Sequence, residues 1–584
     1  MQMKFEQDVM VPMRDGVMLA TDIWLPHDGP APVLLMRDPY VKDTGGAIRS
    51  SGFLVLYLPH VLAAGYAVVI QDCRGTGNSE GTYIPMIDEP NDGADTIDWI
   101  HEQPWSNGKI GMFGLSYHGM VQWAAATVAN ERLTAIAPTL ATSDYYHTPW
   151  YSPGGAMSWH CVFFWTSMMA AVDANRSLAA GSGSSENAMA LAEMHVALDK
   201  YLDTTPLTAV PLLGECTTWW SDLLQHPARD SFWQERAAAE RFEDVTAPAL
   251  NIGGWFDMFI DSTVSSYQGM RKRGGSVEAR DGQRLIIGPW DHRQYSGMNI
   301  DRTFGPMADA AAADIIGYQM KFFDRWLRGN TDAFDDTYPV RIFVMGIDQW
   351  RDELDWPLPD TEYRDYYLDS SGRANTALGD GLLSVDTPLL AAADTFLYDP
   401  RRPVPTIGGR TLMPSAGGGS GPVDQRPIHS REDVLCYATP VLDEPLEVTG
   451  NISLTVFVTS SAKDTDFTGK LVDIHPDGRA IYLTDGILRA RYRKSLSEPE
   501  LMVPGEVYEI TLDMSVTSNV FLPGHKILLE VSSSNFPRYD RNSNTGGVIA
   551  EESLDDSVIA VNNILHGPDY PSRLTLPVID RRLS

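Results

Sequence analysis

Three side chains of the 584-residue chain have the types and the order needed for acyl transfer through a serine. Ser116 stands in Gly114-Leu115-Ser116-Tyr117-His118-Gly119, between an apolar run ending at Phe113 and a helix-like run over 120–129. Asp257 follows the apolar stretch 249–255, and His292 follows another at 285–290. A serine at a strand-to-helix corner is pushed out above a sheet edge, where a histidine can take its proton and a carboxylate can orient that histidine. In an α/β hydrolase these residues come in the chain order Ser…Asp…His, which this chain follows. The corner alone is ambiguous. Gly114 fits the crowded place two before the serine, but the second glycine falls one place late, at Gly119, and His118 takes its usual position. Glycines flanking a serine also suit a merely structural turn. His118 is a weak rival base, since it sits on the helix leaving the corner. Asp261 and Asp291 are alternatives to Asp257, but neither directly ends its strand.

An acyl transfer site also needs donors for the developing oxyanion. The backbone N–H of Tyr117 opens the new helix and is one candidate. The loop after the strand 31–36 reads Arg37-Asp38-Pro39-Tyr40 and offers a second, the Tyr40 phenol. By position alone Tyr40 reads equally as a packed loop residue.

Buried-strand runs at 31–36, 66–72, 108–115, 133–141, 247–257 and 284–292 alternate with helical segments, which implies a mostly parallel sheet covered on both faces. An Asp15-Gly16 turn predicts a hairpin before it. The rhythm breaks over 145–240, which is rich in aromatic residues and Met and reads as a helical insertion. A long amphipathic helix is expected over 307–329. Beyond residue 352 short alternating strands such as 452–460, 478–486 and 526–534 point to a β-sandwich or jelly roll. The stretch 403–427 is a Gly/Pro-rich loop within it. The expected division is an α/β core over 1–144 and 241–352, a helical cap over 145–240 and a β domain over 353–584.

The formal net charge of −32 argues against a nucleic-acid partner, which requires clustered Lys and Arg. No run reaches the roughly 18 apolar residues of a membrane span. The N-terminal residues show no signal-peptide core. The four cysteines are scattered, which fits a reduced compartment and a cytoplasmic location. No His, Cys, Asp or Glu spacing reads as a metal site, so neither metal nor cofactor is expected. The loop 74–81 has glycines without a dinucleotide fingerprint, and Arg74 and Glu80 are expected to brace it.

Taken together, the segments "MRDGVMLATDIW", "RDPY", "QDCRGTGNSEG", "GMFGLSYHG", "GGWFD", "GPWDH" and "SSSNFPRYDRNSNTGG" resemble the cocaine esterase-like branch of the X-prolyl dipeptidyl-peptidase-like serine hydrolases, from about residue 8 to the end. The resemblance implies an α/β-hydrolase core, a helical insertion and a C-terminal jelly roll. That family's elbow is Gly-x-Ser-Tyr-x-Gly, which absorbs the displaced Gly119. The resemblance further implies Ser116 as nucleophile, Asp257 as acid, His292 as base, and Tyr40 with the Tyr117 amide as oxyanion hole. It implies a small-molecule ester partner with a benzoyl-type acyl group. Trp165 and Met168 of the insertion, with Phe259 from the core, are the expected substrate-binding residues. Phe163, Phe164 and Met169 extend the same apolar stretch, which reads equally as cap core.

Two rivals follow. A dipeptidyl peptidase or amino-acid ester or amide hydrolase on the same scaffold must hold a substrate ammonium. The insertion supplies acids for this at Asp173, Glu186, Glu193 and Asp199. A carbohydrate-binding protein with an inactive core is the second. A homodimer is compatible with every reading.

Overall fold

A computed structural model describes residues 3–42, 56–210, 212–217, 219–334, 337–413 and 419–581. The part 414–418 of the Gly/Pro-rich loop therefore lies outside the described residues. The core is a ten-stranded sheet in the order β1-β2-β4-β3-β5-β6-β7-β8-β9-β10. Its strands are β1 (Lys4–Pro12), β2 (Met18–Leu25), β3 (Ala31–Asp38), β4 (Ala67–Asp72), β5 (Ser106–Leu115), β6 (Leu133–Thr139), β7 (Leu250–Gly254), β8 (Arg284–Gly288), β9 (Val340–Val344) and β10 (Gln349–Glu353). Every residue of β3, β4 and β7 is buried, as near-continuous apolar strands of a doubly covered parallel sheet should be. Pairing is parallel from β4 across to β9. The hairpin β1–β2 and the β9–β10 pair close the two edges antiparallel. The expected turn at Asp15-Gly16 joins β1 to β2, with Gly16 at φ 89°.

Helices cover the faces. They include α1 (Glu89–His101), α2 (Tyr117–Ala126), α5 (Ile260–Arg273) and α6 (Ile315–Leu327). The helix expected over 307–329 is shorter than its apolar pattern suggested. Residues 306–308 form a single 3-10 turn, and α6 starts only after Asp314. Asp314 adopts φ 53° and its carboxylate accepts the N–H of Gly317, so a capping residue in the left-handed region interrupts an otherwise helix-prone run.

Between β6 and β7 the chain leaves the sheet and forms α3 (Trp159–Ala179), α4 (Ser185–Val196) and several short turns of helix. Phe163 and Met169 are buried within this unit, and Phe163 stacks on Trp159 with ring centres 5.1 Å apart.

The C-terminal part is all β: β11 (Thr361–Asp369), β12 (Leu382–Ser384), β13 (Ala392–Tyr398), β14 (Leu435–Ala438), β15 (Leu446–Ser460), β16 (Asp466–Ile474), β17 (Ala480–Arg489), β18 (Tyr508–Phe521), β19 (Lys526–Ser532), β20 (Ala560–His566) and β21 (Arg573–Ile579). Its ladders are antiparallel apart from the short β12–β14 contact. One apolar cluster runs from Trp255 and Phe256 of the core through β9 into these strands, so the β unit is packed on the ten-stranded sheet rather than tethered to it. Among the described residues no helix is long and apolar enough to cross a membrane.

Candidate active site

The β5–α2 corner is strained where the serine sits. Ser116 has φ 61° and ψ −124°, an unfavourable region for any residue with a side chain. The surrounding packing dictates the glycines. A Cβ on Gly114 would lie 2.4 Å from the His118 Cβ, and one on Gly119 would lie 2.5 Å from the Ala141 Cβ. The late glycine is therefore the one the helix needs to approach the chain after β6. His118 has a separate niche. Its Nδ1–H donates to the Leu115 carbonyl (2.8 Å), and its Nε2 lies 3.2 Å from Asp38 Oδ1. It faces Tyr40, not Ser116, with ring centres 5.4 Å apart.

Three separate loops meet above the corner. Ser116 Oγ lies 3.2 Å from His292 Nε2, and His292 Nδ1–H donates to Asp257 Oδ1 at 2.7 Å. The other Asp257 oxygen accepts the Phe259 N–H (2.9 Å). Asp257 is fully buried, so its hydrogen bonds determine where the carboxylate points. Tyr295 Oη–H donates to the His292 carbonyl (2.8 Å), which pins the histidine loop. The two alternative aspartates are engaged elsewhere. Asp261 pairs with Arg410 and accepts from Ser515, and Asp291 accepts the Arg293 and Gln294 N–H groups.

Tyr40 is held from two sides. Its N–H donates to Asp38 Oδ1 (2.7 Å), its hydroxyl accepts from Trp165 Nε1–H (3.1 Å), and it lines the same cavity as Ser116. Burial pushes the Tyr40 phenol well above its ordinary range, so it keeps its proton. The Tyr117 side chain turns inward, donating to Glu89 and stacking on Trp165 at 5.8 Å. Its N–H is the first of α2, a position without an intrahelical acceptor. Arg74, as expected, braces its loop by pairing with Asp15 and Asp92, and Glu80 accepts the Met18 N–H.

These groups open onto a cavity of about 390 Å³. Trp165, Met168 and Phe259 all line it, and so do Phe164, Trp150 and Leu412. The apolar stretch of α3 is thus two-sided: Phe164, Trp165 and Met168 face the cavity, while Phe163 and Met169 face the cap interior. Sequence reasoning missed Trp150 and Leu412. Trp150 lies in an irregular segment whose aromatic content was the only signal. Leu412 comes from the Gly/Pro-rich loop of the β unit, which carries no local sign of contact with the core. None of the described lining residues is Asp or Glu, and the single Arg is Arg293. Asp173, Glu186, Glu193 and Asp199 of the insertion are not among them.

The fold and this arrangement are those of an α/β-hydrolase-type serine hydrolase. The X-Pro dipeptidyl-peptidase (S15 family) model matches residues 15–294, and its C-terminal non-catalytic domain model matches residues 332–575. The chain is 48% identical over 581 residues to a cocaine esterase of Rhodococcus sp. (strain MB1 Bresler), covering 98% of both chains. It therefore belongs to the X-Pro dipeptidyl-peptidase-like family, in its cocaine esterase-like branch. Among solved structures it resembles an α-amino acid ester hydrolase (TM-score 0.79, 27% identity, 99% and 97% coverage). It also resembles an aminopeptidase from a marine-sediment Thaumarchaeota archaeon (TM-score 0.80, 26% identity, 99% and 96% coverage).

Proposed function

We propose that this chain is a serine carboxylesterase that hydrolyses esters with an aromatic, benzoyl-type acyl group through an acyl-enzyme. The observation that carries this reading is a strongly apolar, aromatic-walled cavity in front of Ser116, without a carboxylate among its described lining residues. A peptidase or amino-acid ester hydrolase needs an anionic group to hold the substrate ammonium, and Arg293 at this cavity opposes one. The related cocaine esterase and α-amino acid ester hydrolase share the scaffold, so the choice between their activities rests on the pocket.

In the proposed reaction His292 Nε2 takes the Ser116 proton as Oγ attacks the acyl carbon. Asp257 fixes the histidine tautomer and stabilises the imidazolium. The tetrahedral oxyanion accepts from the Tyr40 hydroxyl and the Tyr117 N–H. His292 then protonates the departing alcohol, and a water activated by the same histidine releases the acid. Trp165, Met168 and Phe259 hold the acyl group. On this reading the core comprises 1–144 and 241–352, the cap 145–240 and the β domain 353–584. The partner is a small ester in the cytoplasm, with no nucleic acid, and a homodimer is the assembly allowed for. Kinetics on benzoate and acetate esters of one alcohol, alongside a dipeptidyl-proline anilide, test the assignment. The benzoate is expected to have the highest kcat/KM, and efficient anilide cleavage would favour the peptidase reading instead.

A further inference from the structure

The geometry points to a divalent transition-metal site at the far end of β16, formed by Asp473, His475 and His525. An oxygen of Asp473 and one nitrogen of each imidazole all lie within 4.8 Å of one another. The fold puts them there by register. Asp473 and His475 are two residues apart along one strand direction and so share a face. In the β16–β19 ladder Asp473 pairs with Ile527 and Ile474 with Lys526, so the same antiparallel register brings His475 opposite His525. The two imidazole rings are 4.5 Å apart. His525 Nδ1–H donates to Asp473 Oδ1 at 2.8 Å, and His475 Nε2 is 3.6 Å from Asp473 Oδ2. Asp473 and His525 are buried, and His475 is half-buried at the sheet end.

Two imidazoles and one carboxylate are a donor set for Zn²⁺ or Co²⁺, not for Ca²⁺ or Mg²⁺, which prefer oxygen. Zinc bonds of about 2.0–2.2 Å set tetrahedral ligand atoms roughly 3.4 Å apart, which these side chains reach by small rotations from their present spacing of at most 4.8 Å. Metal binding needs neutral imidazoles. The cations nearest the site have carboxylate partners of their own: Arg479 pairs with Asp477, and Arg302 with Asp348. Linear spacing concealed the trio, because His525 lies far along the chain from the Asp-x-His pair. Three protein ligands leave at least one position for water, so a metal here would brace the β16–β17 turn against β19.

Calorimetric titration of the full chain with zinc chloride near neutral pH tests this. One equivalent is expected to bind, with affinity at least about tenfold weaker in His475→Ala and in His525→Ala. Cobalt should give visible d–d absorption that the same variants lose. If a variant fails to fold, histidine footprinting of the wild type decides: zinc should protect the half-buried His475 from acylation. Absence of saturable zinc binding, unchanged affinity in the variants, or a His475 left unprotected by zinc would each overturn the site.

Discussion

Ser116, His292 and Asp257 were legible as types in order, because an elbow and two strand-end loops leave clear local patterns. Their hydrogen bonds, 3.2 and 2.7 Å, were not legible. In the proposed mechanism the side chains act as a unit, so Ser116→Ala and His292→Ala should each cut ester turnover by several orders of magnitude, and the double variant should lose little more. Retention of a tenth of wild-type turnover by Ser116→Ala would exclude the serine. Tyr40 was a candidate by its place in the loop after the strand 31–36, and only the family resemblance separated it from an ordinary packed loop residue. Its half-buried, protonated phenol, which lines the cavity together with Ser116, makes the role testable. Tyr40→Phe should cost about 10²–10³ in kcat with a smaller change in KM. A defect confined to KM would remove it from the oxyanion hole.

At the scale of elements, α3 ties the cap to the chemistry. Trp165 both walls the cavity and donates to the Tyr40 hydroxyl, a link that no periodicity could reveal. Two substitutions should therefore behave differently. Trp165→Phe keeps most of the wall and loses one hydrogen bond, so kcat should fall modestly, about fivefold, for benzoates and acetates alike. Trp165→Ala should also narrow the benzoate preference. Parallel kinetics on both ester classes separate these effects, and equal behaviour of the two variants would deny Trp165 its wall role. The same helix carries His160, buried near its start, with its N–H donating to the Pro537 carbonyl of the β unit. Burial pulls its pKa down to about 4, against a smaller opposing effect of Asp199. The folded state thus binds this proton less readily than the unfolded chain. The stability it contributes is complete above about pH 6.5 and is lost as pH falls toward about 4, by an amount on the order of 3 kcal/mol. Urea unfolding at several pH values should show this slope, and His160→Gln should flatten it. An unchanged slope would place the acid sensitivity elsewhere.

At the scale of the whole molecule, core, insertion and β unit converge on one cavity. The β unit contributes Leu412, and Arg410 of the same loop pairs with Asp261 of the core and Asp485 of β17. Alternation of strands and helices made the two architectures readable. How they dock was not readable, because the contacts join segments more than a hundred residues apart through loops without periodicity. The aromatic walls should favour benzoate over acetate esters of one alcohol by about 1–3 kcal/mol in kcat/KM, and equal values would leave the aromatic cluster as cap core alone. The most direct measurement is to quench the enzyme with acid during the first turnover of an aryl benzoate and map the peptides by mass spectrometry. A benzoyl group should appear on Ser116, within residues 108–120, and vanish in Ser116→Ala. A benzoyl group on another residue, or turnover without any acylated serine, would contradict the proposed mechanism.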